Sequence, residues 1–292
     1  MKAVVLVAFG CPDSLENIGP FMSKIMGKIP PPPVVAAVRG RYERIGGKSP
    51  LTEITQKQAK ALKVELGEGY LVDFAYQYWS PEIPEVVSKL VLKGVKVIYF
   101  LPMSSFNSSV STGAYQKTIK SLENRFPTVK FFFSGGLAYE PLFIEAHRDL
   151  LQKALKTYSP EDSGIIFTAH SLPKNAIEKG DPYFDEFLTA AKKLGSSFPF
   201  PWAYAFQSKG KSQGEWLSPG VEEVIAEFTT KGIKNIVIDP IGFVADHVET
   251  LYDLDIELKE KFSDVNIKRL SALNTHPYFI KALKQLVLKL EG

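Results

Sequence analysis

The feature that most limits how this chain can fold is an internal duplication. Residues 4–12 and 165–173 are both apolar runs that end in a proline. A Lys-Gly pair precedes a second such run at 93–102 and again at 231–240, and a third match joins 141–144 to 277–280. Because the matches follow the same order in both halves, the sequence predicts two copies of one supersecondary plan.

The two copies differ at a few chemically reactive positions. In the register of the duplication, Phe9 corresponds to His170. In the same register, Ser108, Ser109 and Ser111 correspond to Asp246, His247 and Glu249. Residues needed only for packing are expected in both copies, so the histidine and the acids of the second half are candidates for function.

The pattern of apolar residues predicts an α/β fold. Short runs rich in Val, Ile and Phe alternate with helical patterns, which is typical of parallel sheets covered by helices. The predicted strands are 3–9, 71–78, 95–101, 129–134, 164–169, 202–207, 235–239 and 267–271. The predicted helices include 50–66, 81–93, 113–125, 141–156, 183–194, 218–231, 246–261 and 277–290.

A break in this pattern at Ser159-Pro160 predicts two domains, 1–157 and 158–292, each with a four-stranded sheet. Ligands of parallel α/β sheets bind beyond the carboxyl ends of the strands. Phe9 and His170 both lie at such ends, so we expect two lobes that enclose a cleft there.

The composition excludes several classes of function. A net charge of +3, without a dense run of lysine or arginine, argues against nucleic-acid binding. Cys11 is the only cysteine, which excludes an intramolecular disulfide and a four-cysteine iron–sulfur cluster. The sequence shows neither a cleavable leader nor an apolar run of the roughly 20 residues that span a bilayer. We therefore expect a cytoplasmic location.

His170 and three acids form the strongest candidate site. A neutral imidazole at a strand end can accept a proton or hold a divalent metal. Glu249, Asp253 and Glu257 are spaced four residues apart on one predicted helix, where like charges destabilise the helix unless they serve a purpose. Carboxylates attract hydrated divalent cations, so the row predicts a relay for a metal.

The region near residues 21–44 is a candidate for holding a large flat ligand. Phe21, Met22, Ile25, Met26 and Ile29 recur at helical spacing before four prolines, which fits either a core face or the lip of a pocket. The arginines that follow can bind carboxylates on such a ligand. The lip, residues 21–35, is also a candidate for peripheral membrane contact.

Segments spread over nearly the whole chain resemble the ferrochelatase family. They are 7–14, 41–51, 168–173, 180–183, 206–208 and 242–253. The resemblance implies two similar Rossmann-like lobes around a porphyrin cleft, in agreement with the duplication. It also implies an enzyme of haem biosynthesis that inserts ferrous iron into a porphyrin, protoporphyrin IX giving protohaem.

The same resemblance implies roles for individual residues. His170 and Glu249 match the family's catalytic pair, and both are implied to handle the metal together with Asp253 and Glu257. The implied contacts to the porphyrin are Phe9, Arg41, Tyr42, Ser49 and Tyr115. No cofactor besides the substrate iron is implied. Phe9 stands where enzymes that use coproporphyrin often carry tyrosine.

Three alternatives stay open at this point. The porphyrin is coproporphyrin III, or the metal is cobalt or nickel and the substrate a related tetrapyrrole, or the chain is a non-catalytic tetrapyrrole carrier. The same histidine and acids would serve another metal. Because binding alone does not require His170 and Glu249, their presence argues against a carrier.

Overall fold

A computed structural model describes residues 1–210 and 214–292. The strands of the first half are β1 (Lys2–Ala8), β2 (Tyr70–Tyr76), β3 (Val97–Pro102) and β4 (Lys130–Phe133). They form one parallel sheet in the order β2-β1-β3-β4. The helices are α1 (Ile18–Met26), α2 (Pro32–Arg44), α3 (Leu51–Leu66), α4 (Ile83–Leu92) and α5 (Thr112–Glu123).

The second half repeats this plan. Its strands are β5 (Ser163–His170), β6 (Trp202–Gln207), β7 (Asn235–Asp239) and β8 (Asn266–Arg269), again parallel and in the equivalent order β6-β5-β7-β8. Its helices are α6 (Pro141–Leu155), α7 (Lys174–Glu178), α8 (Tyr183–Gly195), α9 (Val221–Thr230), α10 (Val248–Leu251), α11 (Leu258–Lys261) and α12 (Pro277–Glu291). A π-helical turn, Asp253–Glu257, separates α10 from α11. The prediction of two similar four-stranded parallel sheets is confirmed.

The duplication extends to local backbone geometry. Gly94 and Gly232, which end equivalent helices, both adopt left-handed backbone with φ of 83° and 85°. Before α4 and before α9, a strand-end amide donates to a proline carbonyl: Tyr76 N to Pro81 at 2.7 Å and Phe206 N to Pro219 at 2.8 Å. Both halves therefore use the same turns as well as the same strand order.

Apolar residues on both faces of the central strands explain why the sheets are covered on both sides. Six consecutive residues of β1 and seven of β5 are buried. In the second sheet, Ile236 and Ile238 of β7 share one core cluster with residues of α9, the π turn and α11. The alternation of side chains along a strand turns Asp239 to the opposite face from Ile238.

Two compact units divide the chain differently from the predicted boundary at 157/158. One comprises 1–104, 109–136 and 279–292, and the other comprises 105–108 and 137–278. Helix α6 falls in the unit of the second sheet, and α12 from Phe279 onward falls in the unit of the first, where Glu291 accepts a hydrogen bond from Lys2 at 2.8 Å. Such packing of distant segments leaves no signal in local sequence patterns.

Two predicted helices need correction, and a third local feature concerns the prolines before α2. The predicted helix 246–261 begins at Val248 and is interrupted by the π turn. Of the four prolines at 30–33, Pro32 and Pro33 are the first residues of α2, where their missing amide costs nothing. Helix α3 begins at Leu51, one residue later than the predicted start at 50, and Ser49 Oγ accepts a hydrogen bond from Leu51 N at 3.3 Å.

Candidate active site

His170 is the last residue of β5, and its surroundings hold it in one orientation. Its Nδ1 lies 2.6 Å from the carbonyl oxygen of Ser171, so this nitrogen carries a proton and donates it. The Tyr183 hydroxyl donates to the His170 carbonyl at 2.9 Å. Since 32% of the side chain is exposed, Nε2 remains available for chemistry.

Glu249, in the first turn of α10, lies between two imidazoles. Its Oε1 is 3.5 Å from His170 Nε2, and its Oε2 is 3.5 Å from His247 Nε2. The structure therefore brings the two predicted catalytic residues together. It also adds His247, which begins α10 as its N-cap residue.

The interaction between His170 and Glu249 shifts their pKa values in opposite directions. Burial acts to lower the pKa of His170, but the carboxylate of Glu249 and the Ser171 carbonyl outweigh burial and raise it. Burial acts to raise the pKa of Glu249, but the charge of His170 and contacts with both imidazoles hold it far below its ordinary value. Glu249 is thus ionised at neutral pH, and a proton accepted by His170 is stabilised beside it.

A glycine allows the segment with Glu249 to approach β5. Gly242 N donates to the Thr168 carbonyl at 3.0 Å. A Cβ at position 242 would lie 2.7 Å from both Cα and Cβ of Ala169, the neighbour of His170. Only glycine fits without moving the backbone. The sequence contained Gly242 in a recognisable segment, but the reason for it is a contact between the loop after β7 and β5, which are remote in sequence.

Arg269, at the end of β8, braces the same segment. Its guanidinium binds Asp246 Oδ1 and Asp255 Oδ2, each at 2.6 Å, and only 8% of the side chain is exposed. Asp246 precedes the N-cap of α10, and Asp255 lies within the π turn. The guanidinium of Arg269 therefore links the start of α10 to the π turn. Burial opposes ionisation of Asp246, but Arg269 and further hydrogen bonds lower its pKa. Sequence reasoning missed Arg269, because its partners lie 14 and 23 residues away.

Gln207, the last residue of β6, and Ser208, which follows it, form hydrogen bonds to the segment that carries Glu249 and Asp253. Gln207 Nε2 donates to the carbonyl of Glu249 at 2.9 Å, and its Oε1 accepts from Thr168 Oγ1 at 2.7 Å. Ser208 has left-handed backbone with φ of 57°, which is uncommon outside glycine, and its hydroxyl donates to Asp253. Both residues lay in a segment that resembles the family, but no sequence pattern indicated these bonds.

The acidic row has a different geometry from the predicted one. Glu257 N donates to the Tyr252 carbonyl at 2.8 Å, five residues back, so the row does not follow α-helical spacing throughout. Asp253 and Glu257 are each partly exposed. Within the described part of the chain, no three His, Cys, Asp or Glu side chains are arranged to hold a metal ion. The roles of Asp253 and Glu257 stay predictions.

In the first unit, Phe9 belongs to an aromatic cluster. Its ring centroid is 4.6 Å from that of Tyr78 and 6.4 Å from that of Phe21, which packs edge-on against Trp79 at 5.9 Å. The Phe9 side chain follows the end of β1 and is 36% exposed. It offers an apolar surface on which a flat ring can pack.

The other predicted substrate contacts are less accessible. Tyr42, Ser49 and Tyr115 are buried, with 3%, 7% and 2% of each residue exposed. Burial also raises the pKa of the Tyr115 hydroxyl. These three residues contribute to packing of the first unit, whereas Arg41 is only partly buried. Their assignment to the substrate stays a prediction.

The predicted lip is exposed and apolar at its tip. Ile25 and Met26 of α1 are 39% and 40% exposed, and Ile29, beyond its end, is 89% exposed. None of the helices in the described ranges is both long and apolar enough to cross a bilayer.

Comparison with known proteins decides the family. A model of the ferrochelatase family matches residues 1–290. The chain belongs to the ferrochelatase family. Among its relatives, the ferrochelatase of Aquifex aeolicus is 34% identical over 311 residues, covering 98% of both chains. The ferrochelatase of Herpetosiphon aurantiacus is 32% identical and covers 98% of this chain and 97% of that one. The resemblance seen in the sequence is thereby confirmed.

Solved structures share the fold. SirB from Bacillus subtilis with Fe³⁺ superimposes with a TM-score of 0.66 at 13% identity, covering 99% of this chain and 94% of that one. The sirohydrochlorin chelatase SirB in complex with cobalt gives a TM-score of 0.62 at 11% identity, covering 99% and 95%. At such low identity these matches establish the two-sheet α/β fold of this ferrochelatase family member and carry nothing about its substrate.

Proposed function

We propose that this chain is a ferrochelatase that inserts ferrous iron into protoporphyrin IX and yields protohaem. The observation that supports the proposal best is the placement of Glu249 between His170 and His247, at 3.5 Å from each. Insertion replaces two pyrrole protons by one Fe²⁺, so the site must accept protons as well as receive a cation. A carboxylate with two imidazoles suits both tasks.

In the proposed reaction, His170 accepts a pyrrole proton at Nε2. Its Nδ1 already donates to the Ser171 carbonyl, so the lone pair of the neutral ring is on Nε2. The protonated ring then lies beside ionised Glu249, which stabilises the positive charge. Because burial alone would lower the pKa of His170, the carboxylate is what makes this histidine an effective proton acceptor.

Release of the second proton is assigned to the other side of Glu249. His247 Nε2 approaches the free carboxylate oxygen, and 18% of its side chain is exposed. Glu249 is thus in contact with one imidazole that accepts the first proton and with a second, also partly exposed, that can take the next. Two protons leave for each iron inserted, so charge balances over the reaction.

The iron reaches this site along the acidic row. Asp253, held by Ser208, and Glu257, one turn further along, place negative charge on the segment that leads to Glu249. Attraction of a cation by such charges raises the rate of encounter and weakens with salt. Oxygen ligands also bind and release Fe²⁺ without the tight closed geometry of a structural metal site.

Phe9 favours protoporphyrin over coproporphyrin. It presents an apolar, partly exposed ring within an aromatic cluster and lacks a hydroxyl that could bind iron. Protoporphyrin carries apolar vinyl groups where coproporphyrin carries two more charged propionates. Packing against this apolar surface therefore costs less desolvation free energy for protoporphyrin than for coproporphyrin.

The exposed tip of the lip is proposed to contact a membrane surface. Ile25, Met26 and Ile29 expose apolar area beside Lys24 and Lys28, a combination that suits an anionic bilayer. Sedimentation with vesicles of anionic lipid tests this: Ile29→Ser should weaken binding several-fold. Equal sedimentation of both proteins would contradict it.

The reaction itself is tested by optical spectroscopy under anaerobic conditions. Ferrous iron and cobalt are each offered with protoporphyrin IX and with coproporphyrin III, and the porphyrin bands are followed as they convert to those of the metallated product. We expect the highest kcat/KM for ferrous iron with protoporphyrin. Faster turnover of coproporphyrin, or of cobalt, would overturn the proposed substrate, and porphyrin binding without any metallation would show a carrier.

A further inference from the structure

The side-chain amide of Gln207 joins the two elements that carry the site. Its Oε1 accepts from Thr168 of β5 at 2.7 Å, two residues before His170. Its Nε2 donates to the backbone carbonyl of Glu249 at 2.9 Å. The backbone carbonyl of Gln207 also accepts from Ser171 N at 2.8 Å, and only 6% of the residue is exposed. One buried amide therefore has partners on the strand of His170 and on the helix of Glu249.

The duplication supplies an internal comparison. In the first half, Gln77 occupies the position equivalent to Gln207 and donates from Nε2 to Thr118 Oγ1 of α5 at 3.0 Å. The position equivalent to Thr168 is Val7, which has no hydroxyl, and the buried Oε1 of Gln77 has no partner within the described ranges. In both halves, the glutamine Nε2 donates a hydrogen bond to a helix: Gln77 to Thr118 of α5, and Gln207 to the Glu249 carbonyl of α10. Only the second half uses both ends of the amide.

We propose that Gln207 is a positioning residue for iron insertion, which holds the strand of His170 and the backbone of Glu249 in one hydrogen-bonded unit. The inference rests on the proposed function. The Glu249 carbonyl fixes the orientation of the amide, because a carbonyl can only accept and exchanging the amide oxygen and nitrogen would place two acceptors against each other. The position of Glu249 relative to His170 is therefore set by Thr168 and Gln207 together, and an error of about 1 Å at such a pair can cost about a hundredfold in rate.

Gln207→Met keeps the length of the side chain and removes both hydrogen bonds. We expect kcat to fall tenfold or more, while KM for porphyrin stays within about twofold, since Gln207 holds catalytic groups rather than the substrate. Gln77→Met is the matched control from the other half: it removes one hydrogen bond instead of two, so it should cost less thermal stability and leave kcat close to that of the wild type. Thr168→Val, which installs the residue found at position 7, should lower kcat in the same direction by a smaller factor.

A double-mutant cycle distinguishes positioning from a general loss of stability. If Thr168 orients Gln207, the double variant should be no slower than Gln207→Met alone, because the second change removes nothing further. Losses of kcat that multiply, or equal losses in the two glutamine variants, would overturn the role of Gln207. A wild-type protein that inserts no metal into any porphyrin would instead refute the proposed function itself.

Discussion

Gly242→Ala tests whether close approach of the loop after β7 to β5 is required for the site. The added Cβ would lie 2.7 Å from Cα and Cβ of Ala169 and 3.3 Å from the Thr168 carbonyl oxygen. Carbon atoms in contact are normally about 3.5–4.0 Å apart, so one backbone must move by roughly 1 Å. The loop that moves leads to Glu249, and the strand it meets ends in His170.

Two magnitudes follow from this clash. Overpacking costs about 1–3 kcal/mol, and the lower entropy of the unfolded alanine chain offsets about 0.4–1 kcal/mol of that. We therefore expect the free energy of unfolding to fall by about 1–2 kcal/mol and Tm by a few degrees. Turnover should fall much more, by about tenfold to a hundredfold, because a displacement of about 1 Å separates the two catalytic groups.

Calorimetry and the anaerobic metallation assay measure the two effects on the same preparation. Gly40→Ala is the control for stability, since a Cβ there meets nothing within 4 Å and the residue lies in α2. It should stabilise the protein slightly. If Gly242→Ala were as stable and as active as the wild type, the close approach would not matter and the account of the local fold would be wrong.

Three further predictions concern single residues. Glu249→Gln removes the charge that raises the pKa of His170 against the effect of burial. The acid limb of the pH profile of kcat/KM should therefore move to lower pH, while the plateau falls about a hundredfold. An acid limb that does not move would contradict the interaction of Glu249 with His170. Glu257→Gln should raise KM for ferrous iron several-fold at low salt and much less at high salt, with kcat nearly unchanged; a fall in kcat alone would remove the capture role. Phe9→Tyr should slow product release and alter the haem spectrum, because a phenolic oxygen can bind iron; an unchanged spectrum would show that Phe9 does not face the metal.

The fold followed from the sequence wherever a pattern was local or repeated. All eight strands were predicted because each is a short apolar run, and the duplication required that the two sheets be alike. His170 and Glu249 were found because their counterparts, Phe9 and Ser111, lack their chemistry. A residue that differs between two copies of one framework is a stronger indication of function than a residue type alone.

Features that depend on distant contacts could not be predicted in the same way. The π turn at Asp253–Glu257 could not be predicted from the spacing of residues, because that spacing was interpreted with the α-helical period of 3.6 residues. Arg269 and Gln207 act through partners that are remote in sequence. The helices α6 and α12 join units that the local pattern does not assign to them. In each case the decisive information is which segments pack together.

The most direct test of the account is the rate of iron insertion by His170→Ala under anaerobic conditions. His276→Ala is the matched control, because His276 lies outside the site and contacts Asp149 at 2.9 Å. The account predicts that His170→Ala binds protoporphyrin with nearly unchanged affinity and inserts iron about a hundredfold more slowly, the loss expected for a proton acceptor. Near-normal insertion by His170→Ala would contradict the central claim that this histidine accepts a pyrrole proton.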